Sequence, residues 1–165
     1  MRYIIAATPE AEPTYGCEKP TTTSTSNHLV VYAPLADTTY SNVRFTNDQA
    51  NQGIVYMACY GGGDIHDVTF DHCVFAASTA SEGSNVDAIE MYAQAAGSQI
   101  YNITFDHCWF EPWTRMGIEI LGHGGWVHHI TVKNCTFEAG CGQILSFENH
   151  DLQTLENGAL VGGVR

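Results

Sequence analysis

The sequence predicts an all-β protein built as a parallel solenoid, and three observations predict it. A short pattern recurs along the chain. Ile65-His66-Asp67-Val68-Thr69-Phe70-Asp71-His72-Cys73-Val74-Phe75 is matched by Ile100-Tyr101-Asn102-Ile103-Thr104-Phe105-Asp106-His107-Cys108-Trp109-Phe110 and by Val127-His128-His129-Ile130-Thr131-Val132-Lys133-Asn134-Cys135-Thr136-Phe137. A degenerate copy precedes them in Tyr40-Ser41-Asn42-Val43-Arg44-Phe45-Thr46-Asn47-Asp48, so that Val43, Val68, Ile103 and Ile130 are separated by 25, 35 and 27 residues. β-Branched and aromatic residues fill the copies, and no segment carries a helical apolar period. One such unit cannot bury its own apolar face, whereas stacked units share a continuous core.

The elements follow in order. Residues 8–28, with Pro9, Pro13, Pro20 and the run Thr21-Thr22-Thr23-Ser24-Thr25-Ser26, have loop chemistry and no repeat, so residues 1–27 are expected to form an arm or cap. Residues 28–165 are expected to be the solenoid domain, either a fragment of a longer one or an oligomer with covered ends, because a bare end exposes unpaired strand edges. A second, shorter strand is expected in each unit at 29–32, 54–57, 88–92, 117–121 and 143–147. Residues 159–164 resemble the second strand of a further coil.

Period-two alternation assigns the faces. Val68, Phe70, Ile103, Phe105, Ile130 and Val132 point inward, Cys73, Cys108 and Cys135 form one inward column, and Phe75, Phe110 and Phe137 form the next. A straight ladder of cysteines does not converge as a tetrahedral zinc site requires, so these are expected to be buried thiols. Cys17, Cys59 and Cys141 have no place in the repeat, which leaves a disulfide among them open. Asn47, His72, His107 and Asn134 are expected at the bend before the cysteine column, where their side chains satisfy turn backbone groups.

Composition narrows the function. With 165 residues the chain makes one domain, and 44% hydrophobic against 15% charged residues makes it globular. Six Lys and Arg stand against 18 Asp and Glu, a formal charge of −12, which excludes a nucleic-acid partner and disfavours an anionic membrane surface. No apolar run reaches the roughly 18 residues of a membrane-spanning helix. The apolar start at residues 3–7 is too short for a leader and is followed at once by Pro9 and Glu10.

The pattern apolar-Thr-apolar-x-Asn/His-Cys-x-Phe, over about residues 28–147, resembles the repeat of the pectate-lyase-like superfamily. The resemblance implies a right-handed parallel β-helix of about five coils, a fold that hosts many activities. Aligning Ala88-Ile89-Glu90-Met91-Tyr92 with Gly117-Ile118-Glu119-Ile120-Leu121 sets Glu90 beside Glu119 on adjacent coils, with Val55 before them and Gln143 after. Two glutamates about 5 Å apart repel by roughly 3 kcal/mol at an effective dielectric of about 20, so a proton, a cation or a substrate is expected to compensate them.

With Asp87, the pair resembles the acidic clusters of phage tailspike glycosidases. That likeness implies Glu90 and Glu119 as acid and nucleophile or base, with Asp87 assisting. The adjacent-coil spacing suits a retaining mechanism, and a wider pairing with Asp87 suits an inverting one. Tyr92, Trp109 and Trp113 are expected as half-exposed aromatic faces for sugar rings, with Arg115, His123 and Gln143 as further substrate contacts. The insertion at 76–86 is expected to wall the acidic strand.

Gly122-His123-Gly124 is similar to a polygalacturonase motif, but the aspartate pairs that accompany it there are missing, so that activity is not carried over; His128-His129 reads as an ordinary turn. The expected function is therefore hydrolysis of a neutral or weakly acidic polysaccharide, without a cofactor. A non-catalytic glycan-binding or structural module of a phage fibre or cell-surface protein is the alternative. A uronate lyase or epimerase is a further one. It would need calcium, because the repeats offer only Arg44, Arg115 and Lys133 to an anionic substrate. The resemblance also implies an extracellular or virion-associated location. A homotrimer is one use for an outward apolar column of Met57, Tyr92, Leu121 and Leu145, a glycan groove the other.

Overall fold

The computed structural model describes residues 18–47, 53–76, 86–113, 115–138 and 143–149. After β1 (Ser24–Asn27), a first coil runs through β2 (Leu29–Tyr32), β3 (Leu35–Ser41) and β4 (Val43–Thr46). The second is β5 (Val55–Cys59), β6 (Ile65–Asp71) and β7 (Val74–Phe75); the third is β8 (Ile89–Ala93), β9 (Gln99–Asp106) and β10 (Trp109–Phe110). The fourth is β11 (Met116–Gly122), β12 (Trp126–Lys133) and β13 (Thr136–Phe137), and β14 (Gln143–Asn149) opens a fifth. Successive strands pass from sheet to sheet. The result is three sheets, ordered β1-β4-β7-β10-β13, β2-β5-β8-β11-β14 and β3-β6-β9-β12, with every described pairing parallel. The chain is an all-β parallel β-helix of about five coils. Part of the stretch expected as an arm, Ser24–Asn27, is already a strand of the first sheet.

Like residues stack on like. Phe45, Phe75, Phe110 and Phe137 form one inward pile with centroids 5.6, 4.6 and 4.2 Å apart, and Tyr40, Phe70 and Phe105 form another at 5.1 Å per step. The piles meet edge to face, as between Phe45 and Phe70 at 5.8 Å. Each buried ring contributes roughly 1.5–3 kcal/mol by leaving water. Cys73 and Cys108 are buried free thiols as expected, and Cys135, on the last full coil, is free but only partly buried; the three lie 3.3, 3.3 and 3.5 Å from the carbonyls of Tyr40, Phe70 and Phe105 on the coil before. Cys59 is also free and buried, while Cys17 and Cys141 lie outside the described residues, as do residues 77–85 and 159–164.

The degenerate first copy is corrected. β3 pairs with β6 so that Thr38 faces Val68 and Tyr40 faces Phe70, which sets Val43 in the cysteine column and Phe45 opposite Phe75. Asn42, not Asn47, therefore opens the turn column. Asn42, His72, His107 and Asn134 all have φ between 51° and 56°. A second column, Asp37, Asp67, Asn102 and His129, has φ between 50° and 54° and kinks the third sheet at the same point of every coil. Asn, Asp and His are the non-glycine types most tolerant of this left-handed region, which explains why both columns contain nothing else.

Candidate functional site

The acidic cluster lies on the sheet formed by β2, β5, β8, β11 and β14. Inward Ile89, Met91, Ile118 and Ile120 are buried in the core and fix the register. That register sets Glu119 directly opposite Glu90, as the sequence predicts. The neighbours in the column differ from expectation: Tyr56 rather than Val55 faces Glu90, and Ser146 rather than Gln143 faces Glu119. Gln143 instead pairs with Met116. Asp87 stands just before β8, outside the regular strand, so it can turn toward the same side as the glutamates. One oxygen from each of Asp87, Glu90 and Glu119 lies within 4.8 Å of the others.

A single guanidinium holds two of the three. Arg115 Nε donates to Asp87 Oδ1 at 3.0 Å and Nη2 donates to Asp87 Oδ2 at 2.5 Å. The same Nη2 donates to Glu119 Oε2. The Met116 amide donates to Asp87 Oδ1 at 2.9 Å. Arg115 is thereby engaged within the cluster. Asp87 is 1% and Glu119 0% exposed, and among the described residues Glu119 Oε1 is a buried oxygen without a hydrogen-bond partner. Glu90 is half-buried and is the carboxyl of the three that meets solvent. Gly53 lies against it, where a Cβ would come within 3.3 Å of Glu90 Cβ.

Burial is the first cause of both upward pKa shifts. It raises the Glu90 carboxyl to about 7, with the Asp87 charge adding and Arg115 opposing. It raises Glu119 to about 8, again with Asp87 adding and Arg115 opposing. Three carboxyls around one guanidinium thus retain a proton near neutral pH, and Glu90 is where solvent or a ligand can exchange it.

Beside Glu90 runs a row of aromatic rings across successive coils. Tyr32 and Tyr60 have centroids 6.0 Å apart, Tyr60 and Tyr92 5.7 Å, and Tyr92 and His123 5.9 Å. Tyr32 is 60% and Tyr60 51% exposed. The Tyr92 hydroxyl lies 2.9 Å from His123 Nδ1, and the Tyr56 hydroxyl bonds that of Tyr60. Tyr32, Tyr56 and Tyr60 were not among the expected contacts. Their signal in the sequence is the recurrence of tyrosine at 32, 60 and 92, close to the repeat period.

Other expected contacts are elsewhere. Trp113 is a core residue at 2% exposure, edge-on to Phe137 at 6.1 Å, with Nε1 donating to the Gln143 carbonyl at 3.1 Å. It presents no face to a sugar. Trp109 does point outward, but from β10 in a different sheet, where Lys19 lies over its ring at 5.7 Å and Glu138 accepts from its Nε1. The expected outward column is also corrected: Met57 and Leu145 face Met91 and Ile118 and belong to the core, whereas Tyr32, Ala58, Tyr92 and Leu121 share the outward register.

No protein-family model, no curated protein and no solved structure matches this chain.

Proposed function

We propose that the protein is a carbohydrate-active β-helix that holds a polysaccharide along the Tyr32–Tyr60–Tyr92–His123 row and hydrolyses a glycosidic bond beside Glu90. The observation that carries this reading is a half-buried carboxyl with its pKa raised to about 7, placed next to a second carboxyl and a row of exposed rings. Sugar faces pack on exposed tyrosines, and a carboxyl protonated at neutral pH is what a leaving glycosidic oxygen requires. Glu90 is the general acid. Glu119, within 4.8 Å, is fully buried, bonded to Arg115 and itself raised to about 8, so it contributes as the buried neighbour of Glu90 and not as a nucleophile on the sugar. Asp87 and Arg115 set the charge around them.

A second reading, a glycan-binding module without turnover, is favoured by the complete burial of Asp87 and Glu119 on Arg115, the form a structural ion cluster takes. A polysaccharide panel scored by reducing ends, with and without calcium, separates the two. Hydrolysis predicts release that falls by at least about a hundredfold in Glu90→Gln, while retention of the protein in glycan-containing native gels persists. Retention without release supports the binding module. An unsaturated, calcium-dependent product would mark a lyase instead, and neither release nor retention on any glycan would overturn the carbohydrate reading.

A further inference from the structure

The turn column places two imidazoles on adjacent coils. His72 and His107 stack at 4.7 Å with planes 6° apart. Each is held through Nδ1 by the carboxylate of the residue before it, His72 on Asp71 and His107 on Asp106, both at 2.8 Å. A carboxylate acceptor at Nδ1 keeps the hydrogen there and leaves the lone pair on Nε2, the arrangement that prepares a histidine for a metal. Among the described residues neither Nε2 has a hydrogen-bond partner. Both rings are exposed by nearly half, and with Asn134 and Glu18 they line a surface pocket of about 100 Å³. Lys19 anchors the Glu18 segment: it pairs with Glu111 and with Glu138 at 3.7 Å, and it lies over Trp109.

We infer that this pocket is a binding site for a divalent transition-metal ion of the zinc type, with His72 Nε2 and His107 Nε2 as ligands, the Glu18 side chain of the same lining swinging in as a third and water completing the shell. Two imidazoles with one carboxylate suit zinc, nickel or copper, whereas calcium and magnesium prefer an all-oxygen shell. Asp71, within 4.8 Å of both imidazoles, adds negative charge beside the ion. Bonds of about 2.0–2.1 Å at a tetrahedral angle bring two nitrogens to about 3.3 Å, so the rings tip together by roughly 1 Å, a motion open to exposed side chains. The ion ties the segment before β1 to the second and third coils. This site is distinct from the acidic cluster and independent of the proposed hydrolysis.

The ladder supplies its own control variants. Asn42 and Asn134 occupy the same column at φ 56° and 54°, so His72→Asn and His107→Asn preserve the turn while removing the imidazoles. Calorimetric titration of the full chain with zinc chloride should show one ion per chain, bound at least about tenfold more weakly by either single variant and by Glu18→Gln, and lost in His72→Asn/His107→Asn. Zinc should also raise the Tm of the wild type and leave that of the double variant unchanged, with circular dichroism verifying that both are folded. Zinc bound equally well by the double variant, or no zinc bound by the folded wild type, overturns the site.

Discussion

At the scale of single residues, Glu119 is the most unusual group in the molecule, a carboxyl with no exposed surface and one oxygen without a partner among the described residues. Its pKa is higher in the folded chain than the roughly 4.3 of an unfolded one, so the folded state is the better proton binder between those values. Stability from this group is therefore complete below about pH 4 and is lost as pH rises toward about 8. Glu119→Gln keeps an acceptor for Arg115 and removes the charge. Thermal melts should show wild type and variant nearly equal at pH 4.5, and the variant higher by about 3–6 °C at pH 8.5. A variant less stable at both pH values would mean that the bond to Arg115 outweighs the burial of the charge.

At the scale of the strand and its column, stability resides in stacks that span coils. Phe110 lies between Phe75 at 4.6 Å and Phe137 at 4.2 Å and is fully buried, whereas Phe137 is half-buried at the last described step of its pile. Phe110→Ala should destabilise by about 3–5 kcal/mol and lower the Tm by roughly 10 °C, and Phe137→Ala by less than half as much. Urea denaturation of the two variants checks the ratio; equal losses would mean that the pile does not act as a column. The same columns explain which parts of the fold were legible. Three copies with Thr-x-Asp/Lys-His/Asn-Cys-x-Phe fix their own register, so the later coils and the Glu90–Glu119 pairing follow from the sequence. The first copy does not, because the inward aromatics Phe70 and Phe75 are five residues apart and Phe45 fits either position. Tyr40 opposite Phe70 decides it. Trp113 was legible as aromatic but not as core: its indole fills space against Phe137 with Nε1 on a β14 carbonyl, a partner set by the next coil rather than by its own loop.

At the scale of the whole molecule, stacking converts a repeat in sequence into a row in space, and this gives the aromatic face its direction. Tyr32 belongs to the first coil, Tyr60 to the second, Tyr92 to the third and His123 to the fourth, so the row runs along the solenoid axis. At about 4.8 Å per coil it spans roughly 14 Å. A polysaccharide bound there lies parallel to the axis and crosses Glu90 near the middle of the row, since Glu90 is two residues from Tyr92 on the same side of β8. Affinity should therefore grow with oligosaccharide length until each ring of the row is covered, at about three to four sugars, and then level off. Tyr60 is the central test: it is half-exposed, its ring meets both Tyr32 and Tyr92, and its hydroxyl bonds Tyr56. Loss of that ring in Tyr60→Ala should weaken binding of the longest oligomer by about tenfold while leaving the Tm nearly unchanged, because an exposed side chain contributes little to the core. Titration of a length series of the glycan selected by the panel, against wild type and Tyr60→Ala, measures both effects. Affinity independent of length, or a Tyr60→Ala variant that binds as tightly as wild type, would remove the row from the binding face and leave Glu90 without a substrate track.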